Sequence, residues 1–193
     1  MLGRSPLPFS WEELRYAVAM ERDAVAFKKL FLHFYKDLKI FGMGMIKSGP
    51  VVEDIIADIF LKVWSLEDGL MQIDQINTYL YKAVRNNAIK YLGRLPLQVD
   101  ISEIINFEYH VLTPEQVYIS QEHITLIEAA IAQLPSKCRM AFTLVKDLDC
   151  SYKDAADIMD ISVHTVDRHM QLALKRLRDV LGSKNITLNY SGL

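Results

Sequence analysis

Residues Ser151 to Arg178, SYKDAADIMDISVHTVDRHMQLALKRLR, decide the fold. They read as two helices joined by a tight turn, the first from about Tyr152 to Met159 and the second from about Val163 to Leu181. Ala155, Ala156, Ile158 and Met159 gather small and apolar groups on the first helix, and small Ala156 lets the second cross closely. Asp160-Ile161-Ser162 supplies the turn, a buried Ile and a Ser that caps the next helix by accepting from the amide of His164 or Thr165. Val166, Met170, Ala173, Leu174 and Leu177 repeat at helical spacing and face inward. The opposite face carries His164, Thr165, Asp167, Arg168, Gln171, Lys175, Arg176 and Arg178, groups that hydrogen-bond base edges or pair with phosphates. This is the layout of a helix-turn-helix with a recognition helix. An ordinary antiparallel helix pair with a solvated outer face shares the same turn chemistry, so the flanking chain has to decide between them.

The 193 residues are 51% hydrophobic, enough for one domain or two small ones. Two cysteines, Cys138 and Cys150, allow at most one bridge. No charged start followed by an apolar run marks a signal peptide, and no apolar run approaches the roughly 18 residues of a membrane span, so the expectation is a cytoplasmic protein without membrane insertion. The net charge of -2 is unevenly spread. Met1 to Leu92 has 12 cationic residues against 11 acidic, Gly93 to Gln133 has 1 against 6, and Leu134 to Leu193 has 9 against 7. An acidic middle of net -5 between near-neutral ends predicts two units and a connector.

Ser10-Trp11-Glu12-Glu13 is a capping box that starts a short helix at Trp11. Phe27, Leu30, Phe31, Phe34, Leu38 and Phe41 then form a helical core stripe over Asp23 to Phe41. Gly42-Met43-Gly44 lacks the length and the Lys-Ser/Thr ending of a phosphate loop and ends or weakens that helix. Lys47-Ser48-Gly49-Pro50 reads as a loop. Val51 to Trp64 is helical, with Ile55, Ile56, Ile59, Phe60, Val63 and Trp64 inward and Glu53, Asp54, Ala57, Asp58, Leu61 and Lys62 outward, a mixed face suited to a protein partner. After a loop from Ser65 to Asp74, Gln75 to Leu92 is a fourth helix. Ile76, Leu80, Val84 and Tyr91 point one way, while Tyr79, Lys82, Arg85, Asn86, Ile89 and Lys90 offer aromatic, amide and cationic groups that stack on unpaired bases and hold phosphates. Gly93 to Leu112 reads as a linker; Thr113-Pro114-Glu115-Gln116 starts a helix to about Gln133; Leu134-Pro135-Ser136 breaks it, and Lys137 to Lys146 follows, with Met140, Ala141, Leu144 and Val145 in a second core.

In this order the chain resembles a bacterial RNA polymerase sigma factor of the extracytoplasmic-function (ECF) class. Three stretches carry the resemblance: Glu53-Asp54-Ile55 through Phe60-Leu61-Lys62-Val63-Trp64, Tyr79-Leu80 through Arg85-Asn86, and Leu134-Pro135 followed by Tyr152 to Arg178. The resemblance implies an all-α fold of two small helical domains: residues 1–92 for polymerase docking and minus-ten melting, an acidic linker 93–112, a helix-turn-helix domain 113–183 for the minus-thirty-five element, and a tail 184–193. It implies that Glu53, Asp54, Asp58, Leu61 and Lys62 dock on the coiled coil of the polymerase's largest subunit, with the flap as a second polymerase contact. Tyr79, Lys82, Arg85, Asn86 and Lys90 would serve the minus-ten element, and the Ser65 to Asp74 segment would capture an unpaired base. Ser162, His164, Thr165, Asp167, Arg168, Gln171, Lys175 and Arg176 would serve the minus-thirty-five element. Promoter DNA, core RNA polymerase and an anti-sigma factor are the implied partners, with no cofactor, no metal and no catalysis. Three positions depart from the family pattern: Asp160 stands where Gly is usual in the turn, Lys90 where Asp is common, and Gly93 near the usual Arg.

Rival readings fit less of the chain. Cys138, Cys150, His164 and His169 have the wrong spacing for a zinc finger, which wants two to four residues between its cysteines. A LuxR-like regulator also carries Ser-x-x-Thr-Val, yet it needs neither the Glu53 to Trp64 stretch nor the Tyr79 to Asn86 helix. A protein-interaction module that kept the fold without DNA binding would make the cationic groups dispensable.

Overall fold

The computed structural model describes residues 10–94 and 121–182, and every regular element in them is helical. The linker beyond Arg94, the helix start at Thr113 and the tail lie outside the described residues. In the N-terminal half, α1 (Trp11–Ala19) begins where Ser10 Oγ accepts from the Glu13 amide at 3.2 Å, as the capping box requires. Asp23 caps α2 (Ala24–Met43) by accepting from the Val25 amide at 2.7 Å. Helix α3 (Gly49–Ser65) and helix α4 (Ile76–Leu92) pack on α2 and on each other.

The aromatic stripe on α2 makes this core. Leu30, Phe34, Leu38 and Phe41 are buried, while Phe27 and Phe31 meet α3 edge-on, Phe27 at 4.9 Å from Trp64 and Phe31 at 4.9 Å from Phe60. Helix α2 does not stop at Gly42; it runs through Met43 and caps at Gly44. The reason is a close crossing, since a Cβ on Gly42 would lie 2.6 Å from Val52 Cγ1 on α3. Glycine therefore sits mid-helix because a neighbouring helix needs its space, a reason that offsets its poor helix propensity. The expected loop at Gly49-Pro50 is instead the first turn of α3, where proline's missing N–H has no intrahelical partner to lose.

The Ser65 to Asp74 segment also differs from the expected loop. A 3-10 helix, Glu67–Gln72, occupies most of it and packs on α1, with Leu70 fully buried.

In the C-terminal half, α5 (Gln121–Ala132) leads to α6 (Ser136–Phe142), which continues as a π-helical turn over Thr143–Asp147, so the expected helix to Lys146 is present but widens after Phe142. Helix α7 (Tyr152–Met159) and helix α8 (Val163–Gly182) follow, α8 packing on α5, α6 and α7. Ala155, Ala156, Ile158, Met159, Val166, Met170, Ala173, Leu174 and Leu177 are all buried, as their spacing predicts. The turn between them holds Asp160 in the left-handed region at φ 57°, ψ 48°, a conformation that aspartate tolerates better than most residues. Ile161, expected to be buried in that turn, is half-buried.

The two halves meet where α4 lies against α7, and their buried side chains join in one continuous cluster. Thr78 and Tyr81 are buried on α4 in addition to the expected Ile76, Leu80 and Val84, so this helix has apolar contacts on two sides. Among the described residues, no helix is long and apolar enough to cross a membrane.

Candidate polymerase and nucleic-acid interfaces

Three surfaces carry the residues singled out by sequence. The first is the outer face of α3, where Glu53, Asp54, Ala57, Asp58, Leu61 and Lys62 are all exposed. Leu61 is the most prominent of them, 64% exposed on a helix whose other large apolar groups turn inward. Glu53 is the exception to a free surface, because Lys39 Nζ donates to it at 2.5 Å and the Tyr35 hydroxyl at 3.2 Å. Those hydrogen bonds, the lysine's first, hold its carboxyl below the usual carboxylate range and raise Lys39 in turn. Glu53 thus belongs partly to the α2–α3 contact, leaving Asp54, Asp58, Leu61 and Lys62 to face solvent.

The second surface is α4. Tyr79, Lys82 and Arg85 are half-buried, and Asn86 and Lys90 are exposed. Arg85 donates to the neighbouring Asn86 Oδ1 at 3.3 Å. Lys82 donates to Asp157 of α7 at 2.6 Å, an ion pair across the two halves. Both partners remain about half exposed, so the pair is a weak latch of roughly 0–1 kcal/mol. Beside this contact lies an open cleft of about 480 Å³ edged by Trp11, Asp74, Asn77, Asp149 and Asp154. Its three carboxylates make it unfavourable to phosphate.

The third surface is the helix-turn-helix. Ser162 accepts from the Thr165 amide at 3.1 Å, and the two hydroxyls share a 2.7 Å hydrogen bond, so both residues are committed first to shaping the start of α8. His164, Arg168, Gln171, Lys175 and Arg176 are exposed. Gln171 Nε2 donates to Asp167 Oδ2 at 2.9 Å, one turn apart on the same face. That hydrogen bond orients the glutamine's amide, a group that pairs bidentately with adenine edges. Ser151 likewise caps α7, accepting from the Asp154 amide at 3.1 Å.

Sequence reasoning missed several residues that support these surfaces. Arg139 on α6 is 2% exposed and donates to the Ala132 carbonyl, closing the C-terminal end of α5; burial lowers its guanidinium to about 10. Cys138 Sγ lies 3.6 Å from His169 Nδ1 on the inner flank of the recognition helix. Burial raises that thiol, and burial with Lys137 and Arg168 nearby lowers His169. An arginine between Cys138 and Met140 has no sequence mark of burial, since its partner is a carbonyl of the preceding helix.

Comparison with known proteins bears on the whole of this arrangement. The family model for sigma-70 region 4 matches residues 124–177, the span from α5 through most of α8. The ECF RNA polymerase sigma-E factor of Escherichia coli (strain K12) is 32% identical over 170 residues, covering 80% of this chain and 88% of its own length. The chain belongs to the ECF sigma factors. RNA polymerase sigma factor SigZ of Bacillus subtilis (strain 168) is a more distant relative, 21% identical over 152 residues, covering 79% of this chain and 85% of that one. Two solved structures share the fold at a TM-score of 0.62: the sigma factor RpoE in complex with the anti-sigma factor NepR from Bartonella quintana, 24% identical, and CnrH in complex with the cytosolic domain of CnrY, 16% identical. They cover 81% and 89% of this chain and 96% and 97% of their own. A LuxR-like regulator is not favoured, because the match to the E. coli sigma factor extends far beyond the helix-turn-helix.

Proposed function

We propose that this ECF sigma factor binds core RNA polymerase through α3 and reads promoters at two points, with α4 and the segment before it at the minus-ten element and α8 at the minus-thirty-five element. The supporting observation is that its outward faces sit on separate elements in the expected order. Asp54, Asp58 and Leu61 are exposed on α3, Asn86 and Lys90 on α4, and His164, Arg168 and Gln171 on α8. Polymerase contacts supply affinity that a chain of net charge -2 lacks on its own, while the α8 side chains supply selectivity. The Ser65 to Asp74 segment captures an unpaired base and so draws strand separation forward by binding its product.

Elements about 25 base pairs apart are separated by roughly 85 Å along the duplex. Helices α4 and α7 touch, so the halves part when both elements are engaged. A weak cross-half ion pair suits a contact that has to open. An anti-sigma factor fits the resting protein, whose place is the cytoplasm, and the chain carries no catalytic step. Holoenzyme assembled with a chain whose halves are held together by a disulfide at the α4–α7 contact tests the two-point reading: it should bind core polymerase and fail to protect both promoter elements, and simultaneous protection of both would refute it.

A further inference from the structure

Helix α1 has no part in the two-point reading, yet its polar side chains converge on one target. Trp11 Nε1 donates to the Ile73 carbonyl at 3.1 Å, and Arg15 Nη1 donates to the carbonyls of Met71 at 3.0 Å and Ile73 at 3.2 Å. Just past the helix, Arg22 Nη1 donates to the Trp64 carbonyl at 2.6 Å and its guanidinium lies 4.0 Å over the Trp64 ring. The bonded carbonyls stand at the two ends of the Ser65 to Asp74 segment, Trp64 at the entrance and Met71 and Ile73 at the exit. Leu70 fills the space between, fully buried against α1.

The arrangement is costly to maintain in ways that a solvated helix would avoid. The Arg15 side chain is 14% exposed, and its Nε is buried with no hydrogen-bond partner. Asp74, 3.6 Å away, is itself 95% exposed, so the carbonyls rather than this ion pair fix the guanidinium. Arg22 and Glu67, one on each side of this contact, both adopt positive φ, at 54° and 48°. A guanidinium bridging two carbonyls sets the spacing of the backbone at the exit of the segment, and Trp64, held by Arg22, sets its entrance.

We propose that α1 is a clamp that pre-forms the base-capturing segment, with Arg15 and Trp11 as positioning residues for promoter opening. The inference rests on the reading that Ser65 to Asp74 receives an unpaired base. Order imposed on the free segment lowers the entropy lost when the base enters, so the clamp strengthens capture without touching DNA.

The test uses full-length chain assembled with core polymerase and a fork-junction DNA from a promoter mapped by run-off transcription. The unpaired minus-ten strand is intact or carries an abasic site at each position in turn. Arg15→Met keeps the aliphatic stem and removes the donors; Trp11→Phe keeps an aromatic ring and removes the indole N–H. Each should weaken binding to the intact fork about tenfold, about 1.4 kcal/mol. On the fork whose captured base is missing the loss should fall below about twofold, with core affinity unchanged. Parent-like binding of both variants to the intact fork overturns the clamp, as does an equal loss on both forks, which marks a merely structural role. Parental holoenzyme indifferent to every abasic position overturns the base-capture reading itself, and the clamp with it.

Discussion

Replacing Leu61 by alanine tests the docking face with the least disturbance to the fold. The side chain is 64% exposed, so nearly two-thirds of it remains for a partner to cover. Complete burial of a leucine contributes about 1.5–3 kcal/mol, and covering the exposed part contributes roughly 1–2 kcal/mol. Truncation leaves the Cβ and removes little packing within the free protein, so the loss falls on the complex. The dissociation constant for core polymerase should rise about 5- to 30-fold. The flanking carboxylates are peripheral charges, and Asp54→Ala should act mainly through the association rate, with a loss that shrinks as salt rises. Fluorescence titration of labelled protein with core polymerase at two ionic strengths, beside urea unfolding of each variant, separates the contributions. A Leu61→Ala protein with parental unfolding and a dissociation constant within about twofold of the parent would refute the reasoning.

Other expected outcomes concern the helix-turn-helix and the α2–α3 crossing. Arg168→Ala should weaken minus-thirty-five DNA by about 1–3 kcal/mol if the guanidinium meets a base, with core affinity unchanged in the same titration; it should also let His169 titrate at higher pH by NMR, since Arg168 is one of the charges that lowers it. His169 is held below its ordinary 6.5, first by burial and then by Lys137 and Arg168, so the fold prefers the neutral ring. Its stabilising contribution is complete above 6.5 and is lost as pH falls through the lowered value, and His169→Gln should flatten that part of the stability–pH curve. Gly42→Ala places a methyl 2.6 Å from Val52 Cγ1; overpacking of about 1–3 kcal/mol less about 1 kcal/mol of helix propensity predicts a net loss near 1 kcal/mol in urea unfolding, relieved in a Val52→Ala background. Asp160→Gly should be nearly neutral and Asp160→Val should cost about 1–2 kcal/mol, because the turn needs φ 57°.

The parts of this protein that sequence made legible are those governed by local pattern. The inward and outward faces of α3 follow from spacing alone, as do the Ser10 and Ser162 caps. The misplaced boundaries have partners distant in sequence. Gly42 read as a helix stop because its reason is Val52 on the next helix. Ser65 to Asp74 read as a loop because the donors that order it, Trp11 and Arg15, lie more than 50 residues earlier. The Lys82–Asp157 pair left no mark in the sequence because the two residues are 75 apart. Apolar periodicity reports a face, whereas a hydrogen bond between elements reports a tertiary arrangement that no local window contains.

As an ECF sigma factor, the chain turns core polymerase into a promoter-specific enzyme. Run-off transcription with sigma-free core polymerase on genomic fragments tests it most directly. Adding the purified chain should produce discrete transcripts from defined start sites, reduced when Asp54→Ala and Leu61→Ala are combined. Core polymerase that yields no specific start on any fragment in the presence of the folded chain would contradict the account.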